Sequence, residues 1–278
     1  MLFEQSEHAG VWPYLSKATI LAEMRSHINQ AYSPFVSQQF SGPAAIAIAL
    51  IHQDPCRYVR LCHSLYETGG FQIPYCLVQA SETLRHSNLH LSRHTWLAQV
   101  DWMLFMTLYE NEGYLFHPSP LTSILAVPKF IQRIKHFTKP WEMCGWMKEL
   151  LGYGNIVYRH NYWWLGNYLQ HSVVRTIRSG GTAMALIQTP HSKGGTDRPD
   201  AMTKEHARSK VVKAQGVSIP QKCLQWVVLN RALAMPSSLA DEALFYQNTW
   251  NPLLTQNQVL LTSFAFRRSV LAVVLGKP

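Results

Sequence analysis

The chain has 278 residues, 47% hydrophobic and 15% charged, which supplies apolar matter for a large core and excludes a disordered or fibrous polypeptide. A formal net charge of +9 invites an acidic partner, whether nucleic acid, an anionic membrane face or an acidic protein. The densest basic stretch, Lys193 to Lys213, also carries Asp197, Asp200 and Glu205, so it reads as a solvated loop rather than a phosphate track and argues against nucleic acid.

In chain order, MLFEQSEHAG is acidic and lacks a long apolar core, so no secretory signal is predicted. A cytoplasmic protein, or one exported without a cleaved signal, fits that start. Tyr14 to Gln30 carries Leu15, Ala18, Ile20, Leu21 and Met24 near helical spacing, and Pro34 limits its extension. Behind Ser41-Gly42-Pro43, the chargeless run Gly42 to His52 has no polar face to give to water. It predicts a largely buried helix with Ser41 as an ordinary N-cap, packed on a mainly antiparallel sheet that includes Leu224 to Leu229. The longest apolar run, Ala44 to Ile51, is too short to span a bilayer, so no transmembrane segment is predicted.

Asp54-Pro55, a cap followed by a proline at the first helical position, opens a third helix that ends near Gly69-Gly70. Ser81 to Arg85 and Ser92 to Tyr109 also read as helices, the latter through Trp96, Val100, Met103, Leu104 and Leu108. Thr138 to Leu151 is a further helix, with Thr138 as cap, Pro140 in the first turn and a stop at Gly152 to Gly154. The period then changes. Asn155 to Arg159 is a short strand, Trp163 to Arg178 a helix closed by Gly180-Gly181, and Thr182 to Gln188 a strand. Thr189 to Pro220 is polar and is predicted to be a mobile loop, dispensable for folding. Strands resume at Leu224 to Leu229, at about Ala243 to Gln247 and at Leu271 to Leu275. A helical first half before a sheet-rich second half predicts an α+β fold in a single domain over 1–278.

Five cysteines (Cys56, Cys62, Cys76, Cys144, Cys223) with no CxxC pair suit reduced thiols rather than a disulfide framework. His86, His90 and His94 fall at i, i+4 and i+8, but Ser87-Asn88 interrupts the helix that would align them. No HExxH accompanies them, so no metal is predicted. Gly-rich phosphate loops and GxSxG elbows are absent, and no cofactor is predicted.

Three short stretches carry a resemblance. Ser41-Gly42-Pro43-Ala44-Ala45 resembles the nucleophile segment of papain-like cysteine peptidases, especially bacterial members with a Cys-Gly-Pro-Ala-Ala run at the start of the central helix. A helix N-terminus there stabilises a thiolate and polarises the attacked carbonyl. Gln225-Trp226-Val227-Val228-Leu229, behind Pro220, is similar to that family's His-Trp-Val-Val-Leu strand, and Asn248-Thr249-Trp250 to its Asn-Ser-Trp run. The resemblance implies a papain-like fold in which Ser41, Gln225 and Asn248 converge at one end of a groove as nucleophile, base and orienting residue. The oxyanion-hole Gln of the family stands about six residues before the nucleophile, where this chain has Phe35, and Gln38 and Gln39 are the nearer candidates.

A hydroxyl facing an amide has no proton acceptor, so the resemblance implies a hydrolase fold with an altered site. That describes a pseudopeptidase or bacterial effector that binds a peptide or protein without cutting it. It also describes an enzyme whose native residue at 41 is Cys, or one that recruits His191 or His206 of the long loop as base. Read without the resemblance, Gln225 is a polar residue at a strand edge and Asn248 a turn residue. The rival function is a non-enzymatic interaction protein that holds an acidic partner through a basic, Trp-rich surface drawn from Trp141, Trp146, Trp163 and Trp164.

Overall fold

A computed structural model describes residues 10–29, 40–87, 97–111, 138–161, 166–189, 223–231, 244–247, 258–261 and 263–277. Helix α1 (Lys17–Asn29) buries Ile20 and Met24. In helix α2 (Ser41–Gln53) every residue from Ser41 to Ile51 is buried, the outcome its chargeless sequence demands. Helix α3 (Pro55–Thr68) is bounded by local chemistry. Asp54 accepts the Arg57 N–H at 2.8 Å, Pro55 opens the first turn, and Gly69 takes a left-handed φ of 77° while its N–H bonds the Leu65 carbonyl.

Gly70 then enters a hairpin that the sequence reading did not anticipate, β1 (Gly70–Ile73) with β2 (Cys76–Gln79). Helix α4 (Glu82–Arg85) is capped by Ser81, whose Oγ accepts the Leu84 N–H at 3.1 Å. Helix α5 (Gln99–Glu110) covers the second part of the predicted Ser92–Tyr109, and residues 88–96 lie outside the described residues. Helix α6 (Pro140–Glu149) is capped at Lys139, not at Thr138 as the sequence predicts: the Glu142 carboxylate turns back to accept the Lys139 N–H.

Strand β3 (Asn155–His160), helix α7 (Gly166–Arg178), β4 (Thr182–Thr189) and β5 (Cys223–Arg231) follow, then β6 (Leu244–Gln247), β7 (Gln258–Leu261), helix α8 (Ser263–Ser269) and β8 (Val270–Lys277). β7 and α8 are the remaining elements the sequence reading did not foresee. The predicted mobile loop begins at Thr189, the last residue of β4, and its remainder to Pro220 lies outside the described residues.

Six strands form one antiparallel sheet in the order β3-β8-β4-β5-β6-β7. Alternation along the central strands gives each face to a different core. Met184 and Leu186 of β4, Leu224, Trp226 and Val228 of β5, and Ala272 and Val274 of β8 join the helices of the first half. Ala183, Ala185 and Ile187, with Val227, Leu229, Val273 and Leu275, pack instead with Leu169, Val173 and Val174 of α7 and Phe266 of α8. The protein is thus mixed helix and antiparallel sheet, with helices on both faces, and α2 lies against β5. Burial on both faces explains why Trp226-Val227-Val228-Leu229 and Val270-Leu271-Ala272-Val273-Val274-Leu275 are continuously apolar. Among the described residues, no helix is long and apolar enough to cross a membrane.

Candidate functional site

The first residues of α2 meet β5 in the interior, and the meeting changes the reading of Ser41. Phe40 is the N-cap residue and makes no side-chain cap bond, while Ser41 is the first helical residue. Its Oγ reaches across to β5 and accepts the Trp226 N–H at 3.1 Å, with Ser41 itself only 1% exposed. The expectation that Ser41 caps its own helix is therefore corrected. A backbone N–H on a buried strand needs an acceptor, and Ser41 meets that need 185 residues away in the chain.

Trp226 locks the same junction from the other side. Its indole Nε1–H donates to the Thr138 carbonyl at 2.8 Å, just before α6 begins. Thr138, not a cap, fills the space beside the helix start, and a Cβ at Gly42 would fall inside its side chain. Three segments, at 41–42, at 138 and at 226, are thereby closed against one another. Gly42→Ala is expected to lower stability by about 2 kcal/mol through overpacking, read as a shifted urea midpoint with an unchanged slope. An unchanged midpoint would show that Thr138 yields freely.

Gln225 does not sit at a strand edge, as the residue-level reading has it: β5 is an interior strand, Gln225 pairs with Ile187 of β4, and it is 1% exposed. Ile187 and Val227 belong to the core beneath α7 and α8, so the two-residue alternation puts Gln225 on that face and Trp226 on the face toward α2. The structure brings the backbone after Gln225 to the Ser41 hydroxyl. Asn248 directly follows Gln247, the last residue of β6, and lies outside the described residues, as do Gln38, Gln39, His191 and His206. His52 shares α2 with Ser41 but stands at its far end, about 16 Å along the axis.

A buried polar cluster that the sequence reading did not single out lies between α1, α3 and α5. His27 Nδ1 is 2.8 Å from the Tyr58 hydroxyl and 3.9 Å from Asp101 Oδ1, and Glu23 Oε2 accepts the Val100 N–H at 2.8 Å. Burial lowers the His27 pKa to about 4, so the ring is neutral, and the 3.9 Å approach of Asp101 does not outweigh that desolvation. Burial foremost, then the neighbouring Cys62 and Asp101, raises the Tyr58 pKa, so its hydroxyl stays protonated and can donate to His27 Nδ1. The signal was present in the sequence: Asp101 is the lone charge inside the apolar run Val100 to Leu108.

Buried thiols here are poor nucleophiles. Burial raises the pKa of Cys62, which also hydrogen-bonds Tyr58, and pushes Cys144 up to about 12. Trp12, Trp102, Trp146 and Trp226 are buried in the core and Trp141 is half-buried, while Trp163 and Trp164 lie outside the described residues. Among the described residues no group of three His, Cys, Asp or Glu side chains could hold a metal ion. Compared with known protein families, curated proteins and solved structures, the chain matches none of them.

Proposed function

We propose that the chain is a papain-like scaffold in which the nucleophile position has become a structural one, so that the protein acts by binding rather than by hydrolysis. The observation that carries this reading is the bond from the Trp226 N–H to Ser41 Oγ. It supports the resemblance, because the helix start and the strand that the family brings together do meet. It also supports inactivity, because a hydroxyl used as acceptor for a strand amide, at 1% exposure, is closed to a substrate carbonyl. A neutral amide at 225, on the face away from α2, provides no base.

Ser41→Ala separates a structural serine from a catalytic one. Removing a catalytic hydroxyl leaves stability unchanged or raises it. Removing this one strands a buried N–H and is expected to cost about 1–3 kcal/mol in urea unfolding. A fluorophosphonate probe, which phosphonylates activated serines, is expected to leave Ser41 unlabelled in the folded protein. Labelling at Ser41, or a Ser41→Ala variant as stable as the parent, would overturn the proposal in favour of a working hydrolase.

A further inference from the structure

On the sheet face opposite α2, helix α7 turns one stripe outward. Tyr168, His171, Arg175 and Arg178 recur at three- and four-residue spacing and all are exposed, whereas Leu169, Val173 and Val174 point into the core. Helix α8 repeats the arrangement on a smaller scale, with Phe264, Arg267 and Arg268 exposed and Phe266 buried. Gln170 Nε2 donates to Ser263 Oγ at 3.0 Å and ties the two helices together near their starts. Tyr168 and Phe264, each 62% exposed, therefore stand on neighbouring elements.

The composition of these two helices is one-sided. Neither helix contains a carboxylate or a lysine; four arginines, a histidine and two aromatic rings make up the two stripes. The Arg268 guanidinium lies 5.3 Å over the Phe264 ring, so charge and ring are presented as one unit. A helix face built for water alone carries both signs, paired at i+3 and i+4. No carboxylate of α7 or α8 stands at i+3 or i+4 from Arg175, Arg267 or Arg268, so carboxylates arriving from a partner would meet cations on both helices. Arginine and aromatics without lysine or acid is the composition of the anchoring residues of protein interfaces. A membrane-lying helix would instead turn its aliphatic face outward, and the aliphatic side chains of α7 point at the sheet.

We infer that the α7–α8 face is a docking surface for an acidic protein, with Arg175, Arg267 and Arg268 receiving carboxylates and Phe264 and Tyr168, near the helix starts, as the apolar anchors. The inference does not depend on the papain-like reading, since neither Ser41 nor α2 lies on this face. A helix about 20 Å long and one about 10 Å long, about 10 Å apart, are a small footprint, so the contact is weak to moderate and sensitive to salt.

The probe for this surface is a fluorescein-labelled helical peptide with one stripe of glutamates flanked by leucines, followed by fluorescence anisotropy. Oligothymidylate and phosphatidylserine vesicles serve as rival polyanions. The glutamate peptide is expected to bind at low salt and to lose about tenfold in affinity with Arg267→Glu/Arg268→Glu or with Arg175→Glu. A smaller loss, about fivefold, is expected with Phe264→Ala. All these variants change exposed side chains, so an unshifted thermal midpoint certifies that each is folded. Peptide binding that ignores the substitutions, or no binding at low salt, overturns the inference. So does tighter binding of oligothymidylate or of vesicles with the same sensitivity, which would give the face to a nucleic acid or a membrane. None of these readouts reports on Ser41, so the two proposals fail separately.

Discussion

Trp226→Ala is expected to remove about 4 kcal/mol of stability, enough to bring a domain of ordinary stability close to unfolding. The side chain is 1% exposed, and truncation leaves a cavity bounded by α2 and the start of α6, elements that are already packed and cannot collapse into it. It also strips the Thr138 carbonyl of its indole donor. Trp226→Phe divides the effect, because it keeps most of the ring and loses only the Nε1–H and some volume, for an expected cost of about 1–2 kcal/mol. Urea unfolding followed by far-ultraviolet circular dichroism gives both numbers, and Tyr168→Ala, on the exposed face of α7, should fall within about 0.5 kcal/mol of the parent. Similar losses for Trp226→Ala and Tyr168→Ala would mean that the α2–β5 junction does not carry the fold.

The same junction marks where the sequence stops being readable. Helix α3 was legible from end to end because its boundaries are set by residues in contact along the chain, Asp54 and Pro55 at one end and Gly69 at the other. The burial of α2 was equally legible, since Ala44 to Ile51 offers water nothing. At Ser41 the local rule, serine before a helix as its cap, loses to a distant need: the acceptor for Trp226 is fixed by tertiary packing, which no local pattern encodes. Thr138 differs from expectation for the same reason, the cap role falling to Lys139 and Glu142 while the Thr138 side chain packs beside Gly42. The β1–β2 hairpin and α8 escaped because each is too short to show a period, four residues per strand and seven in the helix. The outward stripes of α7 and α8 become visible only once both helices are known to cover the same face of the sheet.

A pH-dependent loss of stability should follow from the polar cluster at His27. Above about pH 6.5 the imidazole is neutral in both the folded and the unfolded chain and adds no slope. Between pH 6.5 and about 4 the unfolded chain takes up a proton that the folded protein refuses, so binding of that proton favours unfolding. The stability present above the unfolded pKa is lost as the pH falls through this window, by on the order of 3 kcal/mol once the folded pKa is passed. The groups around the ring set how much of this appears: Glu23 on α1, Tyr58 and Cys62 on α3, and Asp101 on α5. Burial also lowers the pKa values of His52 and His160, and both add slope of the same sign. The measurement is therefore a difference, the unfolding free energy of the parent minus that of His27→Phe at several values from pH 7 to pH 4. That difference should shrink steadily as the pH falls, since the phenylalanine variant has no proton to bind at this place. A difference that stays constant across the window would mean that Asp101, drawn closer than 3.9 Å, pairs with a charged His27 and cancels the desolvation.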